Sequence, residues 1–285
     1  LKNVRPSRTH KPGLPATAAL LCLLTLGCAA LAAPAPAKRP AKRKAAHGGV
    51  SLTYDAALAR DVKAETVPAE PLAEASDKPD GVFPEHVAFT LVGLQGAPAN
   101  SYLRPLVRVC PVAEYLKAFS VSPRYVRIAR RTLGDLRRLI RTRPAALRGE
   151  VPTLPFPDGH DAFHAHVKYL RFRGGSGVAF LTQGQQDNNL INSQQVSYEF
   201  RGLTYDGRFY VSATFPVGAA VIADSRDADS HEGYAVPYYA AVPREPRYRA
   251  YVGRVRRKLE RLRPDEFRPS LRLYDELLTS LEIRK

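Results

Sequence analysis

His160, His164 and His166 form an H-x-x-x-H-x-H array, with Asp161 next to the first. On an extended strand His164 and His166 project to the same face, and Asp161 then offers a third ligand to a transition metal. That set would suit a metal-assisted hydrolase. The pattern fixes no further ligand, and His160 falls in a Pro-Asp-Gly loop, so the plainer alternative is a set of surface or hydrogen-bonded histidines. Other patterns lead nowhere catalytic. His231-Glu232 lacks the second histidine of a zincin helix. Gly174-Gly175-Ser176-Gly177 lacks the closing glycine and following helix of a nucleophile elbow, and is expected as a flexible hairpin turn. Asp224, Asp227, Asp229 and Glu232 lack the glycine and bidentate glutamate of a calcium loop. No phosphate-cradling or dinucleotide glycine motif is present. No catalytic residue and no cofactor is assigned, and the pattern leans away from an enzyme.

The elements that must carry these residues are clearest at 196–217, VSYEFRGLTYDGRFYVSATFPV. Val196, Tyr198 and Phe200 alternate with Ser197, Glu199 and Arg201, and the alternation resumes from Phe209 to Phe215. A period of two is the strand signal. Asp206-Gly207 predicts a two-residue type I′ turn. Its register sets Tyr198 opposite Phe215, Phe200 opposite Ala213 and Val196 opposite Val217. Glu199–Thr214 and Arg201–Ser212 then share the other face, expected to be open. Further strands are expected at 51–54, 62–67, 87–94, 103–109, 164–172 and 178–182. Apolar residues at helical spacing predict helices over 124–142 and 246–263, and Ser270 is placed to cap a last one. The expected fold is α+β, an antiparallel sheet with helices packed on one side, in a single folded domain over 50–285.

Arginine crowds the two longer helices. Arg130, Arg131, Arg137, Arg138, Arg256 and Arg257 are the candidate anion-binding residues. Apolar neighbours account for the inward faces, so these charges point outward, and a solvated face is the simpler reading. Anionic envelope polymers, lipid headgroups or another envelope protein are the partners considered. Nucleic acid is disfavoured, because no aromatic residues interleave with the cations to stack on bases.

The first 32 residues set the expected location. Arg5, Arg8 and Lys11 precede an uncharged apolar run at 16–26, and Ala30-Leu31-Ala32 supplies small residues for cleavage before Ala33. Thr25-Leu26-Gly27-Cys28 offers a competing route, lipidation of Cys28, with Thr25 an imperfect match at its position. Either route gives an exported chain, secreted or anchored to the cell envelope. Residues 33–49, rich in Ala, Pro and Lys, are expected as a linker. The formal charge of +16 falls by the four leader cations to +12, and five of those charges sit in the linker. Beyond the leader Cys110 is alone, so neither an internal disulfide nor a thiolate metal site can form within the domain.

The segment 200–213, FRGLTYDGRFYVSA, resembles a hairpin signature of uncharacterised exported bacterial proteins, many of them lipoproteins. HVKYL at 166–170, GVAFLTQ at 177–183, SLTYD at 51–55 and the C-terminal FRPSL and SLEI segments extend the likeness from about residue 50 to the end. Arg201 departs from it, since the pattern carries glutamine there. The likeness implies no activity and transfers no catalytic residue. A more distant one, in topology, is to the extrinsic P-subunit fold of photosystem II, whose relatives are mostly binding or assembly modules. Together these features lead to the expectation of a non-enzymatic binding or accessory module, with the metal-assisted hydrolase as the alternative.

Overall fold

The computed structural model describes residues 41–73, 79–236 and 245–284. The expected export segment and linker residues 33–40 lie outside them. In chain order the early strands are Lys42–His47 (β1), Val50–Asp55 (β2), Ala59–Val67 (β3), His86–Leu94 (β4) and Leu106–Pro111 (β5). Helices Val112–Ala118 (α1) and Pro123–Thr142 (α2) follow. The sheet resumes with His160–Asp161 (β6), Ala165–Phe172 (β7), Gly175–Gln185 (β8), Val196–Thr204 (β9) and Phe209–Pro216 (β10). A small ribbon, Ser230–His231 (β11) with Tyr234–Ala235 (β12), leads towards Pro246–Arg261 (α3), Leu271–Thr279 (α4) and Glu282–Ile283 (β13). The main sheet runs β3-β4-β5-β10-β9-β8-β6, with β7 also on β8, and β1-β2-β13 forms a second sheet. Every paired strand is antiparallel, so the α+β class holds.

The β9–β10 hairpin has the register its alternation requires: Tyr198 faces Phe215, Phe200 faces Ala213, Glu199 faces Thr214 and Arg201 faces Ser212. Its turn differs from the expected two-residue form. The ladder stops short of Tyr205 and Arg208, and the Gly207 N–H closes the turn on the Thr204 carbonyl at 2.9 Å. Gly207 has φ +72°, whereas Asp206 is not among the positive-φ residues, so a type I′ turn, which needs both, is ruled out. Asp206 instead accepts the Arg208 N–H and the Thr204 hydroxyl, and its carboxylate organises a longer loop.

Helices lie on both faces of the sheet, which corrects the one-sided arrangement expected from sequence. Tyr198, Phe200, Val211 and Phe215 join the buried faces of α3 and α4 in one core. Val178, Phe180, Leu203 and Tyr210, from the opposite face, join Ala129, Leu133, Leu136 and Ile140 of α2 in another. At the centre of the first core Phe215 stacks on Tyr274, ring centroids 4.4 Å apart and planes 6° from parallel. Tyr198 lies 6.1 Å from the same ring. The Tyr274 hydroxyl donates to the Pro216 carbonyl at 3.0 Å. This pins α4 to the place where proline, lacking an N–H, ends the strand. Ser270 caps α4, accepting from the Arg272 N–H.

Two glycine segments behave differently from expectation. Residues 42–47, expected in the linker, pair with β2, and β2 pairs with β13, joining the start of the domain to its end. The signal was Gly48-Gly49, at φ +54° and +77°, a dipeptide suited to a two-residue hairpin. Gly175 and Gly177 are strand residues of β8 rather than part of a flexible turn. A Cβ on Gly177 would stand 2.4 Å from the Phe200 ring and 2.5 Å from the Arg201 carbonyl oxygen. The absent side chain is where Phe200 lies.

Gly177→Ala is therefore expected to destabilise the fold by about 1–3 kcal/mol, the range for overpacking. Phe215→Ala should cost about 3–5 kcal/mol as a large buried aromatic. Urea unfolding of the purified chain checks both, and a loss below about 0.5 kcal/mol in either would contradict the packing described.

Candidate functional site

The polar residues of the hairpin lie on the same sheet face as α2, but beyond the part the helix covers. Residues 150–161 wall the space on one side, residues 184–189 on another, and Tyr102 and Arg226 stand at its margin. The result is an open cleft of about 800 Å³, within the range of small-molecule sites. Its floor comes from alternate residues of three adjacent strands: Phe180 and Thr182 of β8, Ser197, Glu199 and Arg201 of β9, and Thr214 of β10.

At the floor is an ion pair between Glu199 and Arg201, Nη1 to Oε2 at 2.5 Å, with side chains 8% and 15% exposed. Bonds from several elements hold it. Thr214 donates to the same Glu199 oxygen at 3.0 Å. Arg201 Nε donates to the Thr153 hydroxyl at 2.7 Å, and Nη1 also reaches the Phe200 and Ala213 carbonyls. The Tyr210 hydroxyl fixes that loop in turn, accepting the Leu154 N–H at 3.2 Å and lying 3.3 Å from Thr153 Oγ1. Burial works to lower the Arg201 pKa, but the Glu199 carboxylate outweighs it and leaves the guanidinium above its ordinary value. These bonds fix the pair before any ligand arrives.

A second cluster lies on the wall. Asp161 accepts from Thr182 at 3.1 Å and pairs with His164 Nε2 at 2.9 Å, so both its oxygens are engaged. Burial would raise the Asp161 pKa. The bond to His164 and the charges of His164 and Arg201 prevail and hold it below the ordinary range. Glu150 accepts the Asp161 N–H at 3.0 Å. Burial, reinforced by the neighbouring Asp161 carboxylate, raises Glu150. Two neighbouring acids thus titrate apart.

The histidine array does not converge. The ladder is irregular between Ala165 and Lys168, and His166 adopts φ +50°. This bulge breaks the alternation on which the shared face depended. His164 packs edge-on against Phe180, whereas His166 packs against Phe267 and hydrogen-bonds to the Leu259 carbonyl oxygen at 2.8 Å. Those rings belong to the two different cores. Among the described residues no three His, Cys, Asp or Glu side chains are grouped to hold a metal ion. His160 is in β6, opposite Gln185, and lines the cleft. Glu232 leaves the acidic loop for an ion pair with Lys258. Cys110 is fully buried, and burial pushes its thiol up to about 12, far from a reactive thiolate.

The six candidate arginines are all exposed. Arg130, Arg131, Arg137 and Arg138 belong to α2 and Arg256 and Arg257 to α3, helices that pack on opposite faces of the sheet, so they form two surfaces. Arg131 and Arg138 share Asp135, at 3.8 and 2.6 Å. Sequence reasoning found the Glu199–Thr214 and Arg201–Ser212 pairs but placed them on an open face. It missed the cleft, whose walls come from loops far away in sequence. Family models, curated proteins and solved structures provide no match to this chain.

Two outcomes follow. Removing one member of the floor pair, as in Glu199→Gln, should cost about 3–5 kcal/mol. Glu199→Leu with Arg201→Met should recover most of that in chemical unfolding, and an equal loss in both would show that the pair is not a unit. For the wall, carboxyl NMR should place Asp161 below and Glu150 above the ordinary values of their side chains. The Asp161 contribution to stability is then present above its unfolded value and lost as pH falls through the depressed one. Glu150 acts in the opposite sense, its contribution lost as pH rises through the raised value. His164→Ala should move Asp161 upward, since burial is then less opposed, and an unmoved Asp161 would contradict the assignment.

Proposed function

We propose that this chain is an exported, non-enzymatic binding module of the cell envelope and that the cleft is the seat of its ligand. The observation that carries the reading is the Glu199–Arg201 pair, buried at the floor and held by Thr153 and Thr214. A polar floor fixed in advance lowers the ordering cost of binding. The same bonding disfavours acid–base chemistry. The Glu199 charge is already neutralised by Arg201, and both Asp161 oxygens are engaged. The leader-like first 32 residues and the likeness to exported proteins support the location. Among the described residues no helix is long and apolar enough to cross a membrane.

The exposed arginines of α2 favour a second, separate contact with an anionic envelope polymer or lipid headgroups. Retention on heparin at low salt that vanishes at moderate salt is expected, and no retention at low salt would remove this contact. For the cleft, the purified chain should gain thermal stability with one ligand class in a small-molecule survey. The gain should be about 2.7 kcal/mol at a hundredfold excess over Kd. Turnover of the stabilising compound would overturn the non-enzymatic reading.

A further inference from the structure

We infer that the cleft recognises an uncharged saccharide through a vicinal pair of hydroxyls laid across Glu199 and Arg201. The inference rests on the cleft being the ligand seat and adds the ligand's chemistry. The hydrogen bonds of Glu199 go to Oε2 and those of Arg201 come from Nε and Nη1. Among the described residues, Glu199 Oε1 and Arg201 Nη2 therefore take no partner, and neither is a fully enclosed atom lacking one. Both residues line the cleft. The floor thus offers an acceptor and a donor side by side, fixed by the ion pair between them. A hydroxyl both donates and accepts. Two on neighbouring carbons match such a floor: one accepts from the guanidinium, and the other donates to the carboxylate.

Charge narrows the choice. The protein carries +16, yet the cleft is lined by five carboxylates, those of Glu150, Asp158, Asp161, Asp187 and Glu199, against the guanidinium groups of Arg201 and Arg226. An acidic sugar or a phosphate would meet repulsion there. At the floor itself a cation finds no unpaired charge, because Arg201 already faces Glu199, so the floor pair selects for hydroxyls. An uncharged polyol does not meet the repulsion that opposes an anion. The walls also suit a ring with one polar edge and one C–H face. Thr214 supplies a hydroxyl, Phe156 supplies apolar surface, and Tyr102 at the margin is 62% exposed.

The test is calorimetry on the purified exported chain with three disaccharides: cellobiose, digalacturonate and a glucosamine dimer. Cellobiose should bind at least about tenfold more tightly than digalacturonate, a difference of about 1.4 kcal/mol, and no more weakly than the glucosamine dimer. Tyr102→Ala, at an exposed position where folding is not at stake, should weaken cellobiose by roughly tenfold, a difference of the same size. Preferred binding of either charged sugar would overturn the inference while leaving the cleft as a ligand seat. Failure of all three to bind would overturn it as well. Cleavage of cellobiose would keep the ligand class and overturn the non-enzymatic reading instead.

Discussion

Tyr198 and Phe215 face each other across the β9–β10 hairpin, and both lie against the ring of Tyr274. Because strand side chains alternate, this contact fixes the direction of every other residue in both strands. A slip of one position would send Glu199 and Arg201 into the core under α4 and bring Tyr198 out into the cleft. Burying an ion pair among aromatic rings and exposing those rings to water are both costly, so the register is strongly enforced. The dry face and the wet face are two consequences of one alignment.

That alignment explains how a strongly basic chain comes to hold an acidic cleft. The arginines of α2 and α3 occupy outward helical positions, where each remains solvated. Arg201 is different, since it projects from a central strand and is 15% exposed on its side chain. An isolated guanidinium there would be costly. Glu199, two residues earlier on the same face, is the neighbour that makes it tolerable. Thr153 and Thr214 bond to the pair, Tyr210 bonds to Thr153 and Leu154 in turn, and the loop over 150–161 is held against the sheet by those same bonds. The cleft is shaped by the satisfaction of one buried pair.

Much of the scaffold was legible in the sequence, because its signals are local. The alternation around Asp206-Gly207 yielded the hairpin register, and the apolar spacing in 124–142 and 246–263 located α2 and α3 within two residues. Non-local features were not legible. The β1 strand escaped because Lys42, Arg43 and Lys44 look like a solvated spacer, although Gly48-Gly49 marked the turn. The two-sided helix arrangement was hidden because Val178 and Phe180 lie in an apolar run without alternation, which is how a strand covered on both faces appears. The histidine array failed at a bulge, which a period-two argument cannot foresee. The cleft left one trace, the polar pairs Glu199–Thr214 and Arg201–Ser212 opposite the apolar face, but much of its wall comes from 150–161, about forty residues earlier in the chain.

Native-state hydrogen exchange, resolved by residue, tests the central claim most directly. If the stacked, dry side of the hairpin anchors the molecule, the amides of β8, β9 and β10 should exchange only through global unfolding. Residues 150–159 and 186–195 around the cleft should open at lower free energy. Strand amides exchanging together with those loops, well below the global unfolding energy, would contradict it.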